Sequence, residues 1–427
     1  MRALYILLAY LLVPIAFGLV VWRGFRDRDY WKNLGERFGH GSRPSGDIRC
    51  IWVHAVSVGE VQASAALVRS LRLRYPNIPL VLTTVTVTGA QRARALFSDD
   101  VDVRYVPYDL PYCVRNFFER VRPRLAVILE TELWPNLYHE CGRRKVPLVL
   151  ASARISPRSV GRYRLLAGLF RETLSHGIVI AAQGPSDAQR FESIGANPQR
   201  THVTGNIKFD FVLSEGLAER GRRLREEHAR NRPVWIAGST HEGEEELILN
   251  AHAQVRRHHR DALLVLVPRH RDRFESVAAL LRRREALFVT RSRGRSARPE
   301  TEVFLLDTLG ELLEFYAASD VAFVGGSLVP IGGHNLLEPA ALRLPILVGP
   351  HNFNSEDIAT LFQAVGAARI VQNPDELAQE VVYLLHEPDE RHRRGAAGRR
   401  ALDENRGALQ RLLALIDPLV READPQR

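Results

Sequence analysis

An acidic side chain, Glu60, stands where a short apolar run gives way to a helical stretch. Residues 51–64, IWVHAVSVGEVQAS, predict a buried strand, a loop of small residues and a helix that begins near Glu60. A helix N-terminus favours the ionised carboxylate, which is the form that a general base needs before it takes a proton. A glutamate that only complements the helix dipole is the alternative, and it is common at helix starts.

Two further acids follow another apolar run. In LETELWPNL (129–137), Glu130 and Glu132 stand one residue apart, just past the end of a predicted buried strand. Side chains alternate along a strand, so the two carboxylates cannot both point the same way if the strand continues. We expect one of them to face a ligand and the other to face a partner arginine. A plain ion pair at a domain edge is the alternative.

Lys208 is one of very few lysines in a chain that is rich in arginine. Lysine and arginine together number 59, and only Lys32, Lys145 and Lys208 are lysines, which leaves 59 − 3 = 56 arginines. If arginine replaces lysine wherever either residue suffices, lysine should survive where a compact ammonium group is needed. Lys208 lies in TGNIKFD (204–210), at the end of the last predicted strand of the first half. Chance survival stays open, because the other two lysines survive too.

The second half of the chain carries residues suited to binding phosphate. Pro268 and Arg269 leave a predicted buried strand in LVPRHR, and a guanidinium at that point can clamp a phosphate. Leu309, Gly310 and Glu311 lie where a loop opens a predicted helix, and free backbone N–H groups there suit a phosphate or a base edge.

A glycine-rich segment follows at 324–350. Its paired glycines, at 325–326 and 332–333, allow the backbone to approach a ligand closely. GGHN precedes a helix that we predict to begin near Asn335, and Glu338 on that helix could bind vicinal ribose hydroxyls. The candidate residues are Asn335, Leu336, Leu337 and Glu338. A turn followed by a helix cap is the alternative.

Several other chemistries find no support in the motifs. The histidines that invite a metal site have no HxH or HExxH spacing and fall on separate predicted loops: His54, His241, His334 and His351. The three cysteines contain no CxxC pair, which argues against a disulfide framework or a cysteine zinc site. Neither GxxxxGK[ST] nor a GxGxxG after a strand is present, so a P-loop NTPase or a dehydrogenase is not indicated. We therefore assign no metal and no cofactor.

Short, nearly continuous apolar runs alternate with amphipathic stretches, which predicts parallel sheets with crossover helices. In the first half the runs are 51–54, 80–84, 102–106, 125–129, 147–151, 178–182 and 202–204. In the second half they are 234–238, 263–267, 287–290, 303–306, 321–325, 346–348 and 368–371. Two open α/β sheets in tandem predict the GT-B architecture, in which two Rossmann-like domains face a central cleft and ligands bind at the carboxyl ends of the strands.

Breaks in this pattern divide the chain. We predict a membrane anchor at 1–22, an N-terminal acceptor-binding domain at 23–210, a polar helical linker at 211–232, and a C-terminal nucleotide-binding domain at 233–427 that ends in a long helix. At 427 residues the chain is long for a single domain.

The N-terminus predicts an anchor. Residues 3–22 carry no charge, and twenty residues of helix span about 30 Å, the thickness of the hydrocarbon core. The basic residues that follow would hold the body on the cytoplasmic side by the positive-inside rule. A cleaved signal peptide is disfavoured because no A-x-A site follows. An interfacial helix stays open, since Pro14 lies in mid-segment.

The charge balance points to an anionic partner. The formal net charge is +10, which suits nucleic acid, anionic lipid or a phosphorylated substrate. The basic runs lack interleaved aromatic residues, so we do not expect nucleic acid to be the partner.

Taken in order, the motifs WVHAVSVGE, LETELWPN, ARISPRS, GNIKFD, GSTHEGEE, LVPRHRDRF and GGHNLLEPA resemble the Kdo transferase family of lipopolysaccharide synthesis, whose members transfer 3-deoxy-D-manno-octulosonic acid (Kdo). The likeness runs from about residue 25 to 415. It implies a GT-B fold at the cytoplasmic face of the bacterial inner membrane, CMP-Kdo as donor, and the tetraacyl precursor of lipid A as acceptor.

The same resemblance implies roles for particular residues. Glu60 matches the family's base, and Glu130 and Lys208 match its transition-state residues. The CMP-binding segments fall on 268–269, 309–311 and 335–338. Basic residues near the predicted cleft are candidates for the lipid phosphates: Arg154, Arg158 and Arg162.

Two other functions stay open at this point. Another GT-B nucleotide-sugar transferase or an epimerase would share the fold. A non-catalytic basic module for membranes or nucleic acid would leave the glycine-rich loops unexplained.

Overall fold

The apolar runs of the sequence form two parallel sheets in two separate units. The computed structural model describes residues 1–42, 48–97, 100–165, 167–174 and 177–422, without the side chains of 157, 158, 162, 165 and 167. Unit 1 comprises Met1–Asp210 and Asn405–Arg427, and unit 2 comprises Phe211–Glu404. The GT-B prediction of two Rossmann-like α/β sheets is confirmed.

Unit 1 contains a seven-stranded parallel sheet of order β3-β2-β1-β4-β5-β6-β7. Its strands are β1 Cys50–His54, β2 Leu80–Thr84, β3 Asp102–Tyr105, β4 Pro123–Leu129, β5 Leu148–Ala153, β6 Val179–Ala182 and β7 Thr201–Val203. In the centre, Ile51 pairs with Leu80 on one side and with Leu125 on the other. The helices around it are α1 Arg2–Gly24, α2 Val58–Arg74, α3 Val87–Phe97, α4 Pro111–Val121, α5 Pro135–Arg143, α6 Pro157–Leu165, α7 Ala167–Leu174 and α8 Pro185–Ser193.

Unit 2 repeats the plan with a seven-stranded parallel sheet of order β10-β11-β9-β8-β12-β13-β14. Its strands are β8 Val234–Thr240, β9 Leu263–Pro268, β10 Phe288–Thr290, β11 Val303–Leu305, β12 Val321–Val324, β13 Ile346–Val348 and β14 Ala368–Ile370. Its helices are α9 Leu217–His228, α10 Glu244–His258, α11 Phe274–Arg283, α12 Leu312–Ala317, α13 Leu337–Ala341, α14 Glu356–Ala364, α15 Pro374–His386 and α16 Pro388–Glu404.

The last helix, α17 Ala408–Glu422, belongs to unit 1, although the sequence pattern placed it in the C-terminal domain. Its apolar side chains Leu412 and Ile416 share a core cluster with Ile51 of β1 and Val127 of β4. Asp210 accepts hydrogen bonds from the backbone N–H groups of Gly407 (2.6 Å) and Leu409 (2.5 Å), so the end of the first segment caps the returning helix.

The predicted linker 211–232 is part of unit 2. Its helix α9 buries Leu224 in the same core cluster as Phe304 and Phe315. Arg225 of α9 also donates to Asp320, just before β12, at 3.0 Å. The helix is polar because only one side of it is buried.

Helix α1 lies against unit 1. The Tyr5 hydroxyl donates to Asp109 at 2.8 Å, and the Phe17 ring meets Phe38 edge-on at 5.1 Å between centroids. By length and composition α1 could cross a membrane, with a mean hydropathy of 2.6 over its most apolar window.

Candidate functional site

Glu60 and Glu130 follow the two central strands of unit 1. Glu60 lies in the first turn of α2, after β1, and Glu130 directly follows β4. These strands are neighbours in the sheet, and the connections leave them in opposite directions along it. Such a switch point, at the carboxyl ends of the strands, is where open α/β sheets bind ligands.

The first turn of α2 holds Glu60 through a reciprocal cap. The helix begins at Val58, and the Ser57 hydroxyl oxygen accepts from the Glu60 N–H at 3.5 Å. The Glu60 carboxylate accepts in return from the Val56 N–H at 2.9 Å and from the Ser57 hydroxyl at 3.1 Å. Ser-x-x-Glu is the sequence signature of a capping box, which our sequence analysis did not use. Glu60 therefore stabilises the helix start as well as facing the switch point.

Burial, and to a smaller extent the neighbouring charge of Glu130, raise the pKa of the Glu60 carboxyl to about 7. The Val56 N–H and the Ser57 hydroxyl act against this rise. Desolvation of the carboxyl thus opposes the ionised form that the helix N-terminus favours. A carboxyl with a pKa near neutrality is suited to take up and release a proton at the pH of the cell.

Glu130 forms an ion pair with Lys208. The Lys208 Nζ lies 2.7 Å from Glu130 Oε1, and the two side chains are 26% and 23% exposed. Glu130 has a φ of 59°, in the left-handed region that a non-glycine residue adopts at a cost, and such strain is concentrated at functional sites. The structure thus brings into contact two residues that lie 78 positions apart in the chain.

Among the side chains that the structure describes, Glu132 meets a tryptophan, whereas we expected an arginine as the partner of one of the two acids. Its carboxylate accepts from the Trp134 indole N–H at 2.6 Å. Burial raises the pKa of Glu132, and the charge of Glu130 adds to the rise. The left-handed turn at Glu130 ends the strand, so alternation along a strand no longer decides where Glu132 points.

A polar network positions the turn that carries Lys208. The Lys208 N–H donates to Asn206 Oδ1 at 3.0 Å, and the Asn206 amide donates to Gln183 at 3.2 Å. Gln183 in turn donates to the Ser152 carbonyl at 3.0 Å. Two residues beyond the lysine, Asp210 caps α17. The backbone turn that carries the lysine is therefore anchored on both sides.

In unit 2 the corresponding switch point lies between β8 and β12, and Glu244 organises it. Its buried carboxylate accepts from the backbone N–H groups of Gly326 (2.7 Å), Ser327 (3.0 Å) and Leu328 (2.9 Å). Burial raises the pKa of Glu244, and these N–H donors act against the rise. The carboxylate thereby fixes the loop after β12.

The glycine pair of this loop serves the protein's own packing. A Cβ on Gly325 would stand 2.6 Å from the Ser239 carbonyl oxygen and 2.8 Å from Glu244 Oε2, and Gly326 has a φ of 70°. We predicted that these glycines let the backbone approach a ligand; in the structure this pair also lies close to Ser239 and Glu244. Glu244, the second glutamate of GSTHEGEE, is a sequence signal that we overlooked.

Two histidines stack beside the loop. The rings of His241 and His334 are parallel at 5.0 Å, and their Nε2 atoms lie 2.7 Å apart, so one donates and the other accepts. Burial, and to a smaller extent the neighbouring His241 and Arg269, lower the pKa of His334 to about 3. Two neutral imidazole rings can form one N–H···N hydrogen bond between their Nε2 atoms.

The residues predicted to bind CMP lie on loops of unit 2. Pro268 ends β9, and the Arg269 N–H donates to the Thr240 carbonyl at 3.0 Å. The Arg269 charge acts on His241, His334 and Glu338, so this guanidinium lies near the glycine-rich segment. Burial raises the pKa of Glu338, while its hydrogen bond with Asn335 and the Arg269 charge oppose the rise.

Both helices expected to bind anions are short. Helix α13 begins at Leu337, two residues after Asn335, and has 5 residues, and α12 begins after Glu311 and has 6. Leu336 and Leu337 are buried, so they can offer a ligand only backbone groups. Leu309 is exposed and Gly310 has a φ of 93°. The Glu311 carboxylate is paired with Arg291 at 2.8 Å.

Among the acceptor candidates, Arg154 follows β5 in unit 1 and is partly exposed. The side chains of Arg158 and Arg162 lie outside the described residues. His54 is buried, its Nδ1 lies 2.8 Å from the Thr83 hydroxyl, and burial lowers its pKa to about 4. Within the described residues, no group of three or more histidine, cysteine or acidic side chains could hold a metal ion.

Two open Rossmann-like sheets, one carrying a perturbed acid beside an ion pair and the other carrying glycine-rich and basic loops, define the GT-B class. A solved glycosyltransferase from Rickettsia africae has this fold, with a TM-score of 0.55 at 14% identity over 90% of this chain and 100% of its own.

The chain belongs to the 3-deoxy-D-manno-octulosonic acid transferase family, whose model matches residues 32–211. It is 40% identical to the 3-deoxy-D-manno-octulosonic acid transferase of Haemophilus influenzae, over 98% of both chains. It is 35% identical to that of Bordetella pertussis, over 97% of this chain and 99% of the relative. The resemblance seen in the ordered motifs is thereby confirmed, and the protein is a glycosyltransferase of the Kdo transferase family.

Proposed function

We propose that the protein transfers Kdo from CMP-Kdo to the tetraacyl disaccharide-bisphosphate precursor of lipid A, in the inner core of lipopolysaccharide. Family membership supports Kdo as the transferred group. The observation that carries the chemical part is Glu60, a carboxyl with a pKa of about 7 at a sheet switch point, beside the Glu130–Lys208 pair.

In the proposed reaction Glu60 acts as the general base. Its carboxylate takes the proton from an acceptor hydroxyl, and the hydroxyl oxygen forms a bond to the ketosidic carbon of Kdo. The bond from that carbon to the phosphate oxygen breaks, and CMP leaves with the electron pair. A single displacement of this kind inverts the configuration at the ketosidic carbon.

Positive charge on the protein would stabilise the leaving phosphate. We assign Lys208, held by Glu130 at 2.7 Å, to the charge that develops in the transition state. In unit 2 we assign Arg269 to the CMP phosphate, the backbone groups of 309–311 to the nucleotide, and Glu338 with Asn335 to the ribose hydroxyls. We propose that these groups suffice without a divalent metal ion.

The proposed lipid acceptor would account for the positive net charge of the chain and for its apolar N-terminal helix. A bis-phosphorylated lipid and an anionic membrane surface both suit a net charge of +10, and Arg154 is a candidate for a lipid phosphate. The apolar helix α1 would keep the enzyme at the inner membrane, with its body on the cytoplasmic side.

The decisive experiment replaces the base. Glu60→Gln should lower the initial rate by ~10²–10⁴ while CMP binding, measured by calorimetry, stays unchanged, because the nucleotide site lies in unit 2. Glu119→Gln, on the exposed surface of α4, serves as the matched control and should keep the wild-type rate. A Glu60→Gln enzyme that retains more than half of the wild-type rate would remove Glu60 from the mechanism.

The product and the metal requirement are tested in the same assay. A mass spectrum of the lipid after incubation with excess CMP-Kdo should show Kdo added to the precursor and should count the units. The rate should survive exhaustive treatment with EDTA. Activity that is lost with the chelator and restored by a divalent ion would contradict the metal-independent part of the proposal.

A further inference from the structure

Helix α1 has two distinct faces. One stripe, with the spacing of three or four residues that marks a single helix face, is partly covered by the rest of unit 1: Arg2, Tyr5, Ala9, Val13, Phe17, Val20 and Gly24. The opposite face consists of large apolar side chains that are 48–63% exposed: Leu4, Leu7, Leu8, Leu11, Leu12, Ile15, Leu19 and Trp22. An apolar outer face of this size on a water-soluble body marks a binding surface.

The N-terminal end of α1 is attached to the rest of unit 1 by hydrogen bonds. Tyr5 donates its hydroxyl hydrogen to Asp109 at 2.8 Å, and Arg2 Nε donates to Asn136 at 3.3 Å. Asp109 and Asn136 are only 5% and 2% exposed, so they belong to the folded body. Asp109 also accepts from the N–H groups of Asn136 and Leu137, at the start of α5.

The other end of α1 is attached as well. The indole N–H of Trp31 donates to the Val21 carbonyl at 2.9 Å, and Gly24 packs directly under the Trp31 ring. In between, Phe17 contacts Phe38, whose ring in turn meets Tyr108 at 5.5 Å. Arg2 and Val21 are 19 residues apart, which is about 28 Å along a helix.

These attachments conflict with a helix that crosses the bilayer. Both contact points lie on one folded body, yet they are separated by nearly the ~30 Å thickness of the hydrocarbon core. If α1 spanned the membrane, Tyr5 would reach the far side, and the buried Asp109 carboxylate would have to follow it into lipid or lose its partner. Leaving a polar group without a hydrogen-bond partner in either place is strongly unfavourable.

We propose that α1 lies in the plane of the membrane, docked lengthwise on unit 1, with its outer apolar face sunk into one leaflet of an anionic phospholipid bilayer. The chemistry at its C-terminal end fits that partner. Trp22, Phe25 and Trp31 are exposed aromatic side chains of the kind that settle at the headgroup level. The exposed cations around them would meet lipid phosphates: Arg23, Arg26, Arg28 and Lys32. This arrangement does not depend on the identity of the acceptor.

The test measures the depth of three points along the outer face. Leu4→Cys, Leu12→Cys and Leu19→Cys place a nitroxide near the start, middle and end of a face whose residues are 58%, 60% and 53% exposed. The native cysteines Cys50, Cys113 and Cys141 are buried and should not react. The full-length labelled proteins are reconstituted into vesicles of phosphatidylethanolamine and phosphatidylglycerol, and accessibility to oxygen and to a water-soluble nickel chelate gives each depth.

An in-plane helix should give all three labels the same depth, in the upper acyl region, to within a few ångströms. The same labels without vesicles supply the aqueous reference. A spanning helix would instead place the Leu12 label deeper than the other two by about 10–12 Å, since seven or eight residues separate them. That pattern would overturn the proposal.

Two further outcomes would also overturn it. If a second copy of the chain covers this face, the labels become inaccessible to both relaxing agents and broaden one another's spectra. If the body binds vesicles through another surface, all three labels stay in water. Binding should also weaken at least tenfold in pure phosphatidylcholine vesicles, and equal binding would contradict the assignment of anionic lipid.

Discussion

The ion pair of Glu130 and Lys208 places a small cation at a fixed point, because the carboxylate orients the ammonium group at 2.7 Å and the Asn206 side chain fixes the turn behind it. An arginine would bring the same charge on a longer, planar group. It could satisfy Glu130, but it would move the centre of positive charge by about an ångström or more.

Lys208→Arg should therefore lower turnover at least tenfold, which corresponds to about 1.4 kcal/mol of transition-state stabilisation. Lys32→Arg and Lys145→Arg are matched controls, since both lysines are exposed and lie on loops away from the switch point. Initial rates at saturating CMP-Kdo, with thermal melts of each variant, make the comparison. A Lys208→Arg enzyme as fast as the wild type would mean that charge alone suffices at this position.

The pH profile should report the Glu60 carboxyl. With a pKa of about 7, Glu60 is protonated below neutrality and cannot accept a proton, so kcat/KM should fall as the pH drops through about 7. Glu132 also contributes to the raised pKa through its charge. Glu132→Gln removes that charge and leaves the Glu130–Lys208 pair in place, so it should shift the acid limb to lower pH.

The control for this shift is an acid remote from the site. Glu119→Gln should leave the acid limb where it is. An acid limb that stays near 7 in Glu132→Gln, or that follows the pKa of the substrate instead, would show that Glu60 does not set the profile.

The sequence predicted the positions of these residues better than it predicted their contacts and burial. Strand and helix spacing placed Glu60 and Glu130 at strand ends, and the scarcity of lysine pointed to Lys208. The raised pKa of Glu60 was not predicted, since its main cause is burial, which depends on the tertiary structure. The partner of Glu132 was missed because it depends on the left-handed turn at Glu130, which nothing in LETELWPN specifies.

Among the elements, α17 has the most direct link to the site. Asp210 caps its N-terminus two residues after Lys208, and Asp417 holds its other half through the Tyr75 hydroxyl (2.6 Å) and Arg74 (2.5 Å). Both aspartates tie the helix to unit 1, but only Asp210 shares the turn with the lysine.

Asp210→Ala should destabilise unit 1 by about 0.5–2 kcal/mol through the lost cap and should also lower kcat, because the turn carrying Lys208 loses its anchor. Asp417→Ala is the matched control: it should lower the melting temperature while leaving kcat unchanged. Melts and steady-state rates of the two variants decide the matter. Similar kcat values in both would show that the turn keeps its position without α17.

The strands were predicted to within a few residues, because buried parallel strands appear as continuous apolar runs. The predicted helix starts near Glu60, Glu311 and Asn335 lie within two residues of the observed ones, but the short lengths of two of these helices were not predicted. Helices α12 and α13 are single turns within loops, and neither has the apolar periodicity that reveals a longer helix. The return of α17 to unit 1 was missed since an amphipathic helix shows that it has a partner surface without showing which sheet provides it.

At the scale of the whole molecule, each unit has its own core. The clusters around β1 and β4 contain residues of unit 1 together with α17, and those around β8, β9 and β12 contain residues of unit 2. Units with separate cores can unfold separately.

Calorimetry should therefore show two transitions. CMP at a hundred times its Kd should stabilise only unit 2, by about 2.7 kcal/mol. Asp417→Ala, which lies in unit 1, identifies the other transition by lowering it. If CMP raises the transition that Asp417→Ala lowers, then the nucleotide binds to unit 1 and the assignment of the loops in unit 2 is wrong.

The hydrogen bonds from Gly407 and Leu409 to Asp210 bring together the two places where the chain leaves unit 1 and returns to it. Unit 2 is thus an insertion whose ends meet, in the manner of a domain spliced into a surface loop of its host. Such a module can be exchanged or removed without cutting the core of unit 1. Joining residues 210 and 407 with a short turn would excise unit 2 and leave unit 1 as a single continuous chain with its core uninterrupted.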